Sequence, residues 1–315
     1  MIEVDIIIPT YRPSDIFLKQ IRRLNRQTIL PHKVYIINTD RKIWDSLEMD
    51  RRLVETDISG FCEVHHIEKK DFDHAATRDM AVKLSGAKYF ICMTQDALPR
   101  DEHLIENLIK PMLDDEHIKM TYARQLYYSD ASILEKLTRR FNYPKESRTK
   151  TKADIDRLGI KTYFVSNVCA AYDRETYDSL GGFAAPAIFN EDMIYAAGLI
   201  KSGSSIRYCA DALVYHSHRL SGVDQLRRYF DNGVSQAQHP EIFEGVAIDG
   251  EGARLVGDTA RSLARMGYIL YLPQLIYISG MKYIGFKLGR QYRKLSEKSI
   301  ERLTLNKEYW KKWDR

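Results

Sequence analysis

VDIIIPTYRPSDIFLKQIRRL, residues 4–24, is the stretch from which the fold is read. Residues 4–9 are an apolar run closed by Pro9, the pattern of a strand buried on both faces of a parallel sheet. Residues 14–26 then put Ile16, Phe17, Ile21 and Leu24 on a helical period, with Ser14 where an N-cap is favoured. A strand, a turn and an amphipathic helix in that order form the repeating unit of an α/β fold.

The unit recurs outward from there. Residues 33–38, 61–67, 88–94 and 118–123 read as strands, and 77–85 and 102–113 as helices, with Gly86 placed to stop the first of these. The alternation predicts an α/β fold with a doubly wound, mostly parallel sheet. Residues 129–159 are polar, basic and weakly periodic, and read as a mobile loop or a helical insert. Residues 161–172 and 205–215 resume strand character. From residue 255 onward the pattern is helical, which predicts a boundary near residue 245. Residues 1–245 would then form the main domain, in halves 1–125 and 126–245, and 246–315 a C-terminal helical appendage.

Composition narrows the classes. Four cysteines, none in a CxxC pair, lie in apolar strand-like runs, so reduced core thiols are expected rather than a zinc or redox site. No basic n-region with a long apolar stretch opens the chain, and its longest uncharged run, 266–281, is shorter than the roughly 20 residues that span a bilayer. The net charge is +5, but residues 282–315 alone carry +7, so the body is slightly acidic and the tail basic. That asymmetry predicts an anionic surface as partner for the tail. No nucleic-acid recognition motif accompanies it, so no nucleic-acid partner is expected.

Ligands of doubly wound sheets bind beyond the carboxyl ends of the strands. Those ends read Pro9-Thr10-Tyr11-Arg12, Asn38-Thr39-Asp40 and Thr94-Gln95-Asp96. No G-x-G-x-x-G follows the first strand, which argues against a dinucleotide site. Asp96 stands where a carboxylate can hold a divalent cation, or can merely close a turn before a helix. Glu191-Asp192 follows a glycine-rich turn. One of the pair can serve as a general base, or both can be acids favoured by a helix N-terminus. His216 and His218, two apart after a strand, can reach a metal or phosphate. His74 and Arg78 share a helix face if that helix starts early, with Arg78 able to clamp a diphosphate or pair with a neighbouring acid.

Taken in order, IIIPTYRP, NTD, DFDHAATRDMA, TQDALP, SNVCAAYDRETYDSLGGF, NEDM and YHSHRLS resemble family-two glycosyltransferases of GT-A fold over residues 3–240. The elements F-x-H-x-x-T-R, T-Q-D-A, H-S-H and RRYFDNGV are most similar to the bacterial rhamnosyltransferase branch. The resemblance implies an inverting transferase taking L-rhamnose from dTDP-β-L-rhamnose to a polyprenyl-linked glycan acceptor in surface polysaccharide synthesis. The alternatives are UDP-galactofuranose or UDP-glucose as donor, or a non-catalytic sugar-nucleotide binder. It implies donor contacts at Pro9, Thr10, Tyr11, Arg12, Asp40, His74, Arg78, Gln95 and Asp96, and acceptor contacts at Asn167 and Trp44. Asp192, with Glu191 beside it, would be the base, and Asp96 with His216 would hold Mn2+ or Mg2+. The metal motif departs from D-x-D in keeping one carboxylate. The tail's apolar, aromatic and basic residues would lay the enzyme on the cytoplasmic face of the plasma membrane, or else form a hairpin packed on the body or across a homodimer.

Overall fold

The computed structural model describes residues 2–56, 59–217, 220–244 and 249–312. The strands β1 (Val4–Tyr11), β2 (Lys33–Thr39), β3 (Cys62–Ile67), β4 (Tyr89–Met93), β5 (Leu98–Pro99), β6 (Ile118–Leu126), β7 (Arg148–Lys150), β8 (Cys169–Asp173) and β9 (Ser205–Tyr215) make a single sheet. Its order is β3-β2-β1-β4-β8-β6-β9-β5, with β7 also on β9. The block β3-β2-β1-β4 is parallel throughout. Beyond it the sheet is mixed, because β8 runs against both β4 and β6, while β6 and β9 are parallel.

This arrangement has a direct consequence for the site. Reversed twice across β8, the chain direction of β6 and β9 again matches that of β1, β2 and β4. The carboxyl ends of all five strands therefore lie along one edge of the sheet, and β8 begins at that edge.

Alternation along β1 divides the core as a two-sided sheet requires. Val4, Ile6 and Ile8 pack on one face with Phe17, Leu18, Ile21 and Leu24 of the helix Asp15–Leu24. Ile7 packs on the other with Ala75, Ala81 and Val82 of the helix His74–Leu84. Ile16, placed on the apolar period by its spacing, is exposed, and Leu18 takes the inward position. Full burial of a side chain such as Phe17 contributes roughly 1.5–3 kcal/mol.

Residues 129–159 are a helical insert built on Ile133–Asn142, capped by Ser132 through Glu135 N–H. The strand expected over 161–172 is present only from Cys169. Residues 159–162 are wound into a 3-10 turn, and the Lys150 ammonium donates to the carbonyls of Lys161 and Phe164. Tyr163 and Val165 are buried as core filling, which apolar content alone does not separate from strand. The boundary expected near residue 245 lies outside the described residues.

The chain from Gly222 to Lys312 contains helices and no strand among the described residues. Leu272–Arg290 crosses Gly222–Gln238 at backbone contact. A Cβ added to Gly285 would stand 2.1 Å from Leu226 O, and one at Gly289 2.1 Å from Phe230 O. Only glycine permits that approach.

Candidate active site

Three strand ends and the loop before β8 build the cleft. Asp96 follows β4, His216 follows β9, and Gln125 stands near the end of β6. His216 Nε2 lies 3.6 Å from Asp96 Oδ2, with the imidazole buried and the carboxylate partly open. On its other side, His216 Nδ1 is 3.1 Å from Gln125 Oε1 and 3.3 Å from Arg139 Nη2. Arg139 also donates to Gln125 Oε1. Nδ1 thus faces an acceptor, the Gln125 amide oxygen, and a donor, the Arg139 guanidinium, while Nε2 faces Asp96; with Nδ1–H donating to Gln125, Nε2 can bind a cation.

The carboxylate pair lies across the loop 166–168. Asn167 N–H donates to Asp192 Oδ2 at 2.8 Å, and Met193 N–H donates to Asp192 Oδ1 at 2.8 Å. Asn167 Nδ2 donates to Glu191 Oε1 at 3.0 Å, and the Tyr172 hydroxyl fixes that amide by donating to its oxygen at 2.6 Å. The same loop reaches the other half of the cleft. Thr94 N–H donates to Val168 O at 3.2 Å, and Gln125 Nε2 donates to Ser166 Oγ at 3.0 Å. Asp96, His216 and Asp192, 120 residues apart at the extremes, are thus tied to one three-residue segment.

The two acids differ in character. Burial pushes both carboxyls up. For Glu191 the buried Arg78 guanidinium, 3.0 Å away, and His74 outweigh burial and hold it below the usual carboxylate range. Among the described residues, no cation pairs directly with Asp192. Burial first, and then the Glu191 charge, push it up to about 7, against the pull of its two backbone donors. Environments that drive neighbouring acids apart assign their roles. Asn190, ahead of the pair, holds a left-handed φ of 63°, a conformation Asn tolerates better than most residues.

Several expected contacts have other tasks here. Arg78 does not point free at a diphosphate; it is buried against Glu191 and the His74 carbonyl, so its charge is already compensated. Glu191, expected beside the base, is its ion-pair partner. His74 packs edge-on to Phe72 and Phe189, and burial lowers its pKa. The Gln95 amide pairs in both directions with the backbone of Tyr11, at 3.0 and 2.9 Å, and so locks the β1 end to the β4 turn. Thr10 is buried and donates to Asn38. Trp44 is fully buried and its indole donates to Asp50, which removes it as an acceptor contact. Asn167 is buried too, and its contacts run to the two acids rather than outward.

Beside the cleft, Asp40, His66, Ile67 and Lys69 line a cavity of about 520 Å3. Lys69 Nζ and the Arg12 guanidinium lie 5.9 and 5.2 Å from the centre of the exposed Tyr11 ring. An aromatic ring, a carboxylate and several cations around a cavity of this size suit a nucleotide.

Residues 5–181 match the family described as glycosyl transferase family 2, more than half the chain. The chain belongs to glycosyl transferase family 2. It is a glycosyltransferase. Over nearly full length it is 35% identical to the O-antigen chain rhamnosyltransferase RfbN of Salmonella typhimurium, covering 98% of this chain and 96% of that one. It is 32% identical to the O-antigen chain rhamnosyltransferase WbaN of Salmonella anatum, covering 97% and 95%. Its fold is similar to a mannosyltransferase, PcManGT, from Pyrobaculum calidifontis, solved with GDP-Man and Mn2+, at TM-score 0.61, 15% identity and coverage of 93% and 88%. It is also similar to S. aureus TarS 1–349 with UDP-GlcNAc, at TM-score 0.52, 13% identity and coverage of 93% and 92%. These likenesses agree with the GT-A architecture expected of the family.

Within this family-two cleft, the residues that sequence reading overlooked are Gln125 and Arg139. Both sit in stretches with no motif, and no local pattern marks them. Among the described residues no three His, Cys, Asp or Glu side chains gather as a metal cage. One carboxylate oxygen and one imidazole nitrogen 3.6 Å apart nevertheless suit two neighbouring ligands on one cation at about 2.1 Å each, with phosphate oxygens and water completing the shell. His218, the second histidine of H-S-H, lies outside the described residues.

Proposed function

We propose that this chain moves L-rhamnose from dTDP-β-L-rhamnose, with inversion, onto a polyprenyl-linked glycan during surface polysaccharide assembly. The observation that carries the reading is Asp192, a carboxylate with a pKa near neutrality, tied through residues 166–168 to the Asp96–His216 pair. The names of the two full-length relatives support the choice of sugar.

The chemistry follows from the positions. The nucleoside sits in the cavity edged by Asp40 and Lys69, against Tyr11. Asp96 and His216 would hold Mn2+ or Mg2+, which when bound offsets charge on the departing diphosphate. Arg139, beside His216, adds a fixed cation at that end. Asp192 accepts the proton of the acceptor hydroxyl as its oxygen bonds to the anomeric carbon. The bond from that carbon to the diphosphate oxygen breaks on the opposite face, and the electron pair leaves with the nucleoside diphosphate. A base with a pKa near the working pH is both ionised and strong enough to take the proton. The Asn167 and Met193 N–H groups hold Asp192 in place, and Glu191, paired with Arg78, keeps a second negative charge beside it.

A donor panel tests this. Nucleoside diphosphate release from dTDP-β-L-rhamnose, UDP-galactofuranose and UDP-glucose is measured with and without Mn2+. The reading expects the first donor to be preferred and Mn2+ to be required. Preference for a UDP sugar would reassign the donor, and no release from any donor would favour a binding protein.

A further inference from the structure

From residue 259 to residue 296 the chain contains no Asp or Glu, but seven Lys and Arg. The same segment carries the most exposed apolar surface of the molecule. Leu270 is 93% exposed and Ile276 69% exposed, with Met266, Tyr268, Ile269, Tyr283 and Ile284 also open. On Leu272–Arg290 the outward positions Ile276, Tyr283 and Ile284 and Lys287 recur at helical spacing. The opposite face, with Leu275, Gly285 and Gly289, is buried. The exposed face extends through the 3-10 turn Ile269–Tyr271. A contiguous apolar surface of this kind marks an interaction site.

We propose that this face docks on an anionic lipid bilayer, with the turn Ile269–Tyr271 and Ile276 entering the headgroup region and Arg265, Lys287 and Arg290 meeting lipid phosphates. Charge selects this occupant. A second copy laid symmetrically on the face would set its basic rim against the same rim, with no acid in the segment to pair it, whereas an anionic leaflet answers both the apolar stripe and its basic rim. Among the described residues no helix is long and apolar enough to cross a membrane, so the contact is interfacial. The cytoplasmic leaflet of a plasma membrane has this chemistry.

The docking face is rigidly joined to the catalytic loop. Leu272–Arg290 meets Gly222–Gln238 at glycine contacts. That second helix holds residues 189–190 through Ser235 to Phe189 O at 2.8 Å and Asn190 to Asn232 at 3.2 Å. Docking therefore fixes the orientation of Asp192 relative to the surface.

The test is flotation of the full chain with vesicles of pure phosphatidylcholine and with vesicles containing phosphatidylglycerol. Leu270→Asp with Ile276→Asp, and Lys287→Glu with Arg290→Glu, are compared with the parent, alongside Tm and donor hydrolysis in solution. The proposal expects binding to the anionic vesicles only. It expects a loss of more than about twentyfold in the basic double variant, since roughly fivefold in affinity accompanies each basic residue near such a surface, and a marked loss in the apolar one, with Tm and hydrolysis unchanged in both. Equal binding to both vesicle types, or variants that bind like the parent, would overturn it. A parent that runs as a dimer and becomes monomeric in the Leu270→Asp, Ile276→Asp variant would overturn it in favour of a second copy. The readout is independent of which sugar is transferred.

Discussion

Asp192→Asn is expected to abolish transfer and at the same time stabilise the protein. The carboxyl is pushed from an ordinary 3.8 to about 7. A folded-state pKa above the unfolded value means that ionised Asp192 opposes folding. The penalty is absent below about pH 4, grows through the interval up to 7, and is constant above it. Three pH units correspond to about 4 kcal/mol at most. Asparagine removes that penalty but has one acceptor oxygen for the two N–H groups of Asn167 and Met193, so one of them loses its partner at about 1–3 kcal/mol. The net expectation is a gain of about 1–3 kcal/mol at pH 8, a rise of a few degrees in Tm. Thermal melts of both proteins from pH 4.5 to pH 8.5 should show the variant's advantage widening with pH and levelling off above 7.5. Turnover should fall by about 10²–10⁴. A variant that is active, or whose Tm difference does not depend on pH, would refute the assignment of Asp192 as a destabilised base.

Further expectations follow from the same contacts. Arg78→Met should cost about 3–5 kcal/mol by stranding Glu191 in the interior, and adding Glu191→Gln should recover most of it in urea melts. Asp231 accepts from Thr304 Oγ1 at 2.6 Å and from Leu305 N–H at 3.0 Å, while Asn306 reaches Ile188 O at 3.0 Å, just ahead of the catalytic loop. Asp231→Ala should therefore release the C-terminal turn, seen as faster hydrogen exchange at residues 300–306 and a lowered kcat with donor KM little changed. Gly285→Val would drive a side chain into Leu226 O and should lower stability by about 3 kcal/mol or more, measurable as a shifted denaturation midpoint. With Asp192 as base, log(kcat/KM) should fall with unit slope below about pH 7.

The parallel block was legible because each of its strands is a short apolar run ending in a polar turn, and β1 alternates its burial between two core faces as the period predicts. What lies beyond β4 was less so. Short strands such as β5 and β7 carry two or three residues and no period to detect, and the buried stretch 163–165 looks like a strand by composition. Asp96 and His216 were visible because each follows a strand, and Asp192 because it opens a helix after a glycine-rich turn. Their surroundings were not. Trp44 looks like an acceptor platform until its burial and its bond to Asp50 are seen, and Arg78 looks like a diphosphate clamp until Glu191 is found 3.0 Å away. Partner identity is a three-dimensional property, and charge type alone does not reveal it. Gln125 and Arg139 show the converse, since neither lies in a motif and both orient His216.

The most direct measurement is a crystal structure with Mn2+ and dTDP, collected at a wavelength where manganese scatters anomalously. The account predicts one manganese peak bound by Asp96 Oδ2, His216 Nε2 and diphosphate oxygens, with thymine in the cavity edged by Asp40 and Lys69 and Asp192 facing the open side of the diphosphate. A manganese peak away from Asp96 and His216, or a nucleotide bound where Asp192 cannot reach an acceptor, would contradict it.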